Sequence, residues 1–457
     1  MYFPPGKVIL TLVVMVAVAA GYIGVQRAQF AATPPPDLHF LVFSRAHSER
    51  YRAVLPEFEA EEGVRVHMTL LNWNSLRNRL QAIRIAGLPM PDLVEFERSQ
   101  FGALVRGPLD LVPFEPLNER LEATGLIDQF APGRLELWTR AGRHFGVPKD
   151  VHPVMLAYRR DILAELGIDP AELTTWERFV AVAREKIVAD LTGNGIIDRY
   201  AIDMSLTGNP ELTQILIAQR GIDLFDARGR PLMHNADLAD LIVWYHEQTT
   251  GANRISFPAG WGQNLAQALT SDLVVFIMVP DWRTRQIEMD MPGMAGKFGL
   301  MPLPAWEEGG GRTSTFGGTG MFISRQSENP EMAWRLAEFL ALDETLLESS
   351  FRRTNIIPPF AGAWDLPVFD QVNAFWQEPL GRRFIEVAGD VPVIHPSPFY
   401  GLALDRIANV LARLRRHARH LDAEARFDFV MEELGVIQSD IEQLIERDRF
   451  LSEEERL

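Results

Sequence analysis

The stretch from Asp281 to Ser324 gathers side chains that recognise a molecule rather than attack one. It holds Trp282 and Trp306, three prolines, a run of glycines and the pair Gly317–Gly318, but no histidine and no cysteine. Flat rings offer apolar faces with a polar edge, and glycine lets backbone N–H groups come close to a bound molecule. A plain tight turn would explain Gly317 and Gly318 equally well. Trp73, set between Asn72 and Asn74, is poorly placed for a core and well placed for stacking. Trp261, with Gly260 and Gly262 on either side, is a further candidate ring. The sequence contains no G-x-S-x-G, H-E-x-x-H or P-loop signature, and its ten histidines are scattered. It has no cysteine at all, which excludes disulfides, thiolate metal sites, cysteine nucleophiles and a lipid-modified N-terminal cysteine.

One loop has metal-like spacing. In "DLTGNGIID", Asp190, Thr192, Asn194 and Asp198 occupy positions one, three, five and nine of an EF-type loop, with Gly195 at six. Position twelve, where a bidentate Glu belongs, is Ala201. The expectation is a metal-free turn, with calcium as the alternative. No cofactor is expected.

Alternating strands and helices must position these residues. "LHFLVF" (38–43) reads as a buried strand, and 48–63 as a helix with Tyr51, Val54, Leu55 and Phe58 on one face and Gly63 at its end. A strand at 64–71, a helix at 74–87 and a strand at 91–96 follow. That order predicts a parallel sheet with right-handed crossovers, and such sheets bind ligands beyond the carboxyl ends of their strands. Here those ends are Phe43–Ser44, Asn72–Trp73 and Phe96–Gln100. A second αβ unit begins near Val151, with a strand in "PVMLAYR" and a helix at 174–187 capped by Thr175. The chain crosses between units near Lys149. Further strands are expected in "KFGLMPL" and "GTGMFIS", and helices dominate after Asn329.

The totals agree with a multi-lobed globular protein. The 457 residues are 47% hydrophobic and 23% charged, with a net charge of −16 that argues against a nucleic-acid surface. Near the N-terminus, Val8–Val25 is uncharged and is followed by the stiff "TPPPD" (33–37). The reading is an uncleaved membrane anchor with a spacer. A signal peptide cut after Ala19 is the alternative.

Seven segments, taken in order, carry a family resemblance: "PDLVEFERSQFGAL", "GRHFGVPKDVHPVMLAYRRDIL", "TTWERF", "LTSDLVVFIMVPDW", "GKFGLMPLP", "STFGGTGMFISRQSENPEMAWRLAEFL" and "TNIIPP". Together they resemble the family-1 extracellular solute-binding proteins of carbohydrate ABC importers, the class that includes maltose-binding protein. The resemblance covers nearly everything from Leu38 onward. It implies an α/β, two-lobed periplasmic-binding-protein-like fold of type II, with the ligand cleft between lobes and a helical C-terminal region. The expected division is 1–37 as anchor or signal plus spacer, 38–148 with 272–322 as lobe one, and 149–271 with 323–457 as lobe two.

The resemblance also implies a carbohydrate ligand, permease subunits as partners, a monomer, and a periplasmic or membrane-anchored extracytoplasmic location. A sugar asks for carboxylates, amides and Arg toward its hydroxyls and for rings toward its C–H faces. In maltose-binding relatives the turn after the third strand faces the ligand with an aromatic and then charged groups. The matching positions here are Phe96, Ser99 and Gln100, and the missing charge at the last two argues against a maltodextrin. Phe96 as plain core stays open. The family often brings a carboxylate to the sugar at the hinge, where Asp150 stands, though Asp150 also reads as a turn cap. It often stacks a Trp where Trp282 stands. Ser44, Arg352, Asn355, Phe399 and Tyr400 complete the candidate site. The rival functions are a membrane-anchored glycan-processing enzyme and a ligand sensor without a transport role.

Overall fold

The computed structural model describes residues 37–204, 210–417 and 420–450, together with Met15. The expected anchor at Val8–Val25 otherwise lies outside the described residues. Among the described residues, no helix is long and apolar enough to cross a membrane.

The described strands form two five-stranded sheets and a small hairpin. The first sheet runs Val66–Leu70, Leu38–Val42, Leu93–Glu97, Thr319–Ile323, Val147–Pro148. Its first three strands are parallel, as the alternating pattern predicts, and Thr319–Ile323 lies antiparallel beside the third with Gly320 opposite Phe96. Successive side chains face opposite sides of a strand. Leu38, Phe40 and Val42 therefore pack on one face with Tyr51, Leu55 and Trp334. Leu41, Val94 and Phe96 pack on the other with Leu76, Leu80 and Trp138. The helix Arg45–Glu62 starts at Ser44, whose side chain accepts the His47 N–H, and ends at Gly63 with φ 68°. The helix Trp73–Ala86 is capped in the same way by Asn72 and Gly87.

The second sheet runs Phe298–Pro302, Val154–Arg159, Val274–Pro280, Tyr200–Asp203, Ser256–Phe257. Its middle strand, "VVFIMVP", is buried at all seven positions. Phe276 and Met278 join a core with Trp176, Phe179 and the C-terminal helices Tyr400–His417 and Ala423–Phe450. Ile277 and Val279 face a second core with Phe369, Trp376 and Phe384.

The expected division between lobes is corrected in two places. Val274–Pro280 and Phe298–Pro302 both pair antiparallel with Val154–Arg159, so the segment 272–302 belongs with the second sheet. Only Thr319–Ile323 returns to the first. The helix Pro330–Leu342, assigned from the sequence to the second lobe, packs through Trp334, Leu336 and Leu340 against Leu38 and Phe40 of the first. An all-apolar strand carries no alternation to say which sheet it joins, and sequence order alone misplaced both segments.

Candidate ligand-binding cleft

The chain passes between the sheets at 149–153, again at 303–318, and a third time along the helix Glu344–Thr354, whose Leu346 packs in the first core and Phe351 in the second. A cavity of about 1380 Å³ opens there, lined from both sides. The first sheet contributes the residues just beyond its parallel strands: Phe43 and Ser44, Trp73 and Arg77, and Arg98, Ser99 and Gln100. The second side contributes Trp282, Arg285, Gln286 and Met289 from the helix after Val274–Pro280. Gln214, Tyr400 and Asp405 join them, and Phe316, Gly317 and Gly318 come from the second crossing.

Trp73 and Trp282 approach the cavity from opposite sheets. Trp73 opens its helix, and the Arg77 guanidinium lies 4.9 Å from its ring centre. Trp282 donates its indole N–H to the Phe316 carbonyl at 3.0 Å. Trp261 lies parallel to it, with centroids 5.9 Å apart and planes 7° off. Trp261 does not line the cavity itself; it reaches it only through Trp282. Gly317 and Gly318 have φ of 105° and 140°. A Cβ on Gly317 would lie 2.9 Å from the His152 ring, so glycine is required there by conformation and by space.

Behind the cavity the crossings are tied by buried ions. His152 Nδ1 lies 2.7 Å from Asp281 and its Nε2 3.0 Å from Asp150, all three buried. Burial alone would lower the imidazole pKa, but the two carboxylates overcome it and hold the ring protonated, at about 10. Burial would likewise raise Asp150, yet His152 and the Thr319 N–H hold it at about 2. Asp281 also accepts the N–H groups of Trp282 and Ile357 at 2.7 Å. Arg134, fully buried, donates to the Val151 carbonyl and to Thr315, clamping the first two crossings together. Burial and the nearby Arg98 lower its pKa to about 10. In the first lobe, buried Glu95 accepts from Tyr51 and faces His47 at 2.9 Å and Lys149 at 3.8 Å, which joins the helix Arg45–Glu62 to the first crossing.

Several expected site residues sit elsewhere. Phe96 is fully buried and stacks on Phe322 at 3.8 Å, so it is core. Phe399 is also core, with the Arg106 guanidinium 4.0 Å from its ring centre. Asn355 takes φ 60° to end the helix Glu344–Thr354, and its amide donates to Thr284 and Glu288. Asp150 accepts the Thr319 N–H at 2.9 Å and faces His152, which leaves it part of the hinge and not of the cavity wall. Arg352 does line the cavity but is held by Glu348 and Gln371 at 2.7 and 2.6 Å. Ser99 is exposed and donates its hydroxyl to Glu97, while Gln100 is 3% exposed with no partner for Oε1 among the described residues. Ser44 and Tyr400 line the cavity.

The EF-like loop turns its oxygens inward. Asp190 accepts the N–H groups of Gly193, Asn194 and Gly195, and Asp198 accepts those of Leu191 and Thr192. The Gly195 N–H above all holds the Asp190 carboxyl below its usual range. Among the described residues, no cluster of His, Asp and Glu could hold a metal ion.

The lining residues that the sequence did not flag include the arginines Arg45, Arg77, Arg98, Arg285 and Arg353, with Gln286 and Phe316. Arg98 follows the third strand's end directly, and that placement was the available signal.

Comparison with known proteins agrees with this geometry. The family model described as bacterial extracellular solute-binding protein matches residues 46–345. An arabinooligosaccharide-binding protein of Halalkalibacterium halodurans is 25% identical over 364 residues, 78% of each chain. Another of that name from Bacillus subtilis is 22% identical over 72% of this chain and 74% of its own. Among solved structures, the sugar-binding protein MalE from Xanthomonas citri superposes with a TM-score of 0.70 at 19% identity. That match covers 90% of this chain and 99% of the other.

Proposed function

The chain belongs to the bacterial extracellular solute-binding protein family, an extracytoplasmic family, and from that premise we propose that it captures an oligosaccharide in this cleft for an ABC importer. One observation carries the reading. Trp73 on one side faces a cavity whose other side carries Trp282, with hydrogen-bonding side chains between them. Rings on both walls suit the two C–H faces of a sugar, and two lobes joined only by crossing segments can close on it. The arabinooligosaccharide-binding relatives put ligands of several rings within range. On this reading the bound sugar leaves chemically unchanged, handed to membrane permease subunits by a monomer. The apolar Val8–Val25 run would keep that monomer at the membrane.

The test is a titration of the purified full chain with a panel of neutral and charged oligosaccharides, read by tryptophan fluorescence, with mass spectrometry of the recovered ligand. Saturable quenching or enhancement with intact ligand is expected. Steady turnover of the sugar, or no response to any saccharide, would overturn the reading.

A further inference from the structure

The charge of the cleft runs against the charge of the chain. The protein has 61 acidic residues against 45 basic ones, yet among the described residues lining the cleft seven are arginines and three are carboxylic acids. Two of the arginines are matched nearby, Arg285 by Glu288 and Arg352 by Glu348, each at 2.7 Å, and a third, Arg106, packs 4.0 Å from the Phe399 ring centre. Arg45, Arg77, Arg98 and Arg353 have no carboxylate within ion-pair distance among the described residues. The three acids do little to neutralise them. Glu97 is engaged by the N–H and hydroxyl of Ser99, and Asp405 is raised by burial alone, as befits a carboxyl without a cation beside it. That leaves Glu49.

Arg45 is the first residue of its helix, which has no acidic residue in its first turn. The N-terminal end of a helix is its positive end, so a cation there is disfavoured until an anion arrives. Arg98 lies 5.4 Å from the Tyr400 ring centre, and its own short helix is already capped by the Glu97 carboxylate. A second observation lies in the same wall. Gln100 is 3% exposed and its Oε1 has no partner among the described residues, and one Arg98 guanidinium nitrogen is buried without one. Arg134, fully buried, is close enough to Arg98 to be destabilised by its charge. The Arg98 nitrogen is a donor left over for an anion, the Gln100 oxygen an acceptor left over for a ligand hydroxyl, and the wall carries positive charge in excess of what the protein itself neutralises.

Resting on the reading that the cleft holds a saccharide, we infer that this saccharide is anionic: a short acidic oligosaccharide whose carboxylates engage Arg98 and the arginines around it. The guanidinium fork matches a carboxylate in two parallel hydrogen bonds, which suits a uronic-acid ring stacked on a neighbouring Trp. More than one ring is implied. The four unmatched arginines sit on four separate helices, Arg45–Glu62, Trp73–Ala86, Arg98–Leu104 and Glu344–Thr354, so the charge they seek is spread along the ligand. The cavity of about 1380 Å³ also exceeds the range of roughly 300–1,000 Å³ that holds a drug-sized molecule.

The experiment is calorimetric titration of the full chain, at low and at physiological salt. The probes are di-, tri- and tetragalacturonate, their methyl esters, neutral arabinooligosaccharides and a hexose phosphate. The esters keep every ring and hydroxyl and remove only the charge. The acids should bind at least about thirtyfold tighter than the esters, and their affinity should fall with added salt as screening predicts. Arg98→Gln should reduce the acid-over-ester preference roughly tenfold or more. Arg353→Gln, an exposed position that a folded protein tolerates, should reduce it in the same direction. Esters or neutral oligomers binding as well as the acids would overturn the charge assignment while leaving the saccharide reading intact. Tightest binding of the hexose phosphate would overturn the oligomeric carboxylate. Binding of none of these probes would overturn both readings together.

Discussion

Replacing His152 by Gln removes one positive charge from between two carboxylates and leaves the rest of the hinge in place. The ring lies 2.7 Å from Asp281 and 3.0 Å from Asp150, and the three residues are 5%, 0% and 3% exposed. Breaking a buried pair by removing one partner costs about 3–5 kcal/mol, because the stranded charge stays desolvated. For a cooperative unit of some 200 residues that is a drop of roughly 6–20 °C in Tm. The pH dependence gives the sharper check. His152 titrates at about 10 in the folded protein and near 6.5 when unexposed to its partners. Its contribution is therefore complete below pH 6.5 and declines from there through pH 10, by at most about 1.4 kcal/mol per unit. Asp150, held at about 2, contributes above pH 4 and loses that contribution as pH falls through 2. Urea unfolding of both proteins at pH 6, 8 and 9.5 should show a gap that is widest at pH 6 and narrows steadily. A gap of constant size across that range would mean that His152 is not the charged centre of the hinge.

Three substitutions separate cleft from core. Trp73→Ala should weaken oligosaccharide binding by about 1–3 kcal/mol and leave the melting temperature of the empty protein nearly unchanged, since the ring is only half-buried. Trp282→Ala should weaken binding by a similar amount and also lower the melting temperature, because it loses the bond to Phe316 and the stack on Trp261. Phe96→Ala should do the reverse: a loss of about 3–5 kcal/mol of stability measured by urea unfolding, with affinity in the surviving folded protein unaltered. Intact stability in that variant would return Phe96 to the cleft.

Much of the fold was legible because the local signals are strong and agree with one another. Thr175 caps the helix it was expected to cap, and Gly63 and Gly87 end theirs in the left-handed region, while Ser44 and Asn72, read from the sequence as strand ends, also prove to be helix caps. The strand ends beyond 43, 72 and 96 are indeed where the first sheet meets the cavity. What failed depends on partners far away in sequence. Val274–Pro280 is buried on both faces, so nothing in its own pattern tells whether it pairs with Leu93–Glu97 or with Val154–Arg159. Phe96 and Trp73 both follow or end a strand, but Phe96 meets Phe322 from across the sheet while Trp73 lies at a helix start. Asn355 resembled a ligand amide; its backbone at φ 60° and its bonds to Thr284 and Glu288 make it a helix terminus. Arg45, Arg77 and Arg98, unlike Arg352, carry no signal of their own, because a charge in a helical pattern reads as a solvated face until the opposite wall is known.

The hinge ions and the cleft rings are not independent. Asp281 accepts from His152 at the first crossing, from the N–H of Trp282 and from the N–H of Ile357. Trp282 in turn donates to the Phe316 carbonyl at the second crossing. Gly317, next along that crossing, has no room for a Cβ against His152. The indole that faces the cavity is therefore fixed by its backbone to the Asp281–His152 ion at the first crossing and by its side chain to the Phe316 carbonyl at the second. A hydrophobic hinge of the same volume would be as stable or more so. It would not tie the orientation of Trp282 to the relative position of the two sheets. A ligand held against that ring then acts directly on the residues about which the sheets turn, which is the mechanical link a closing cleft requires.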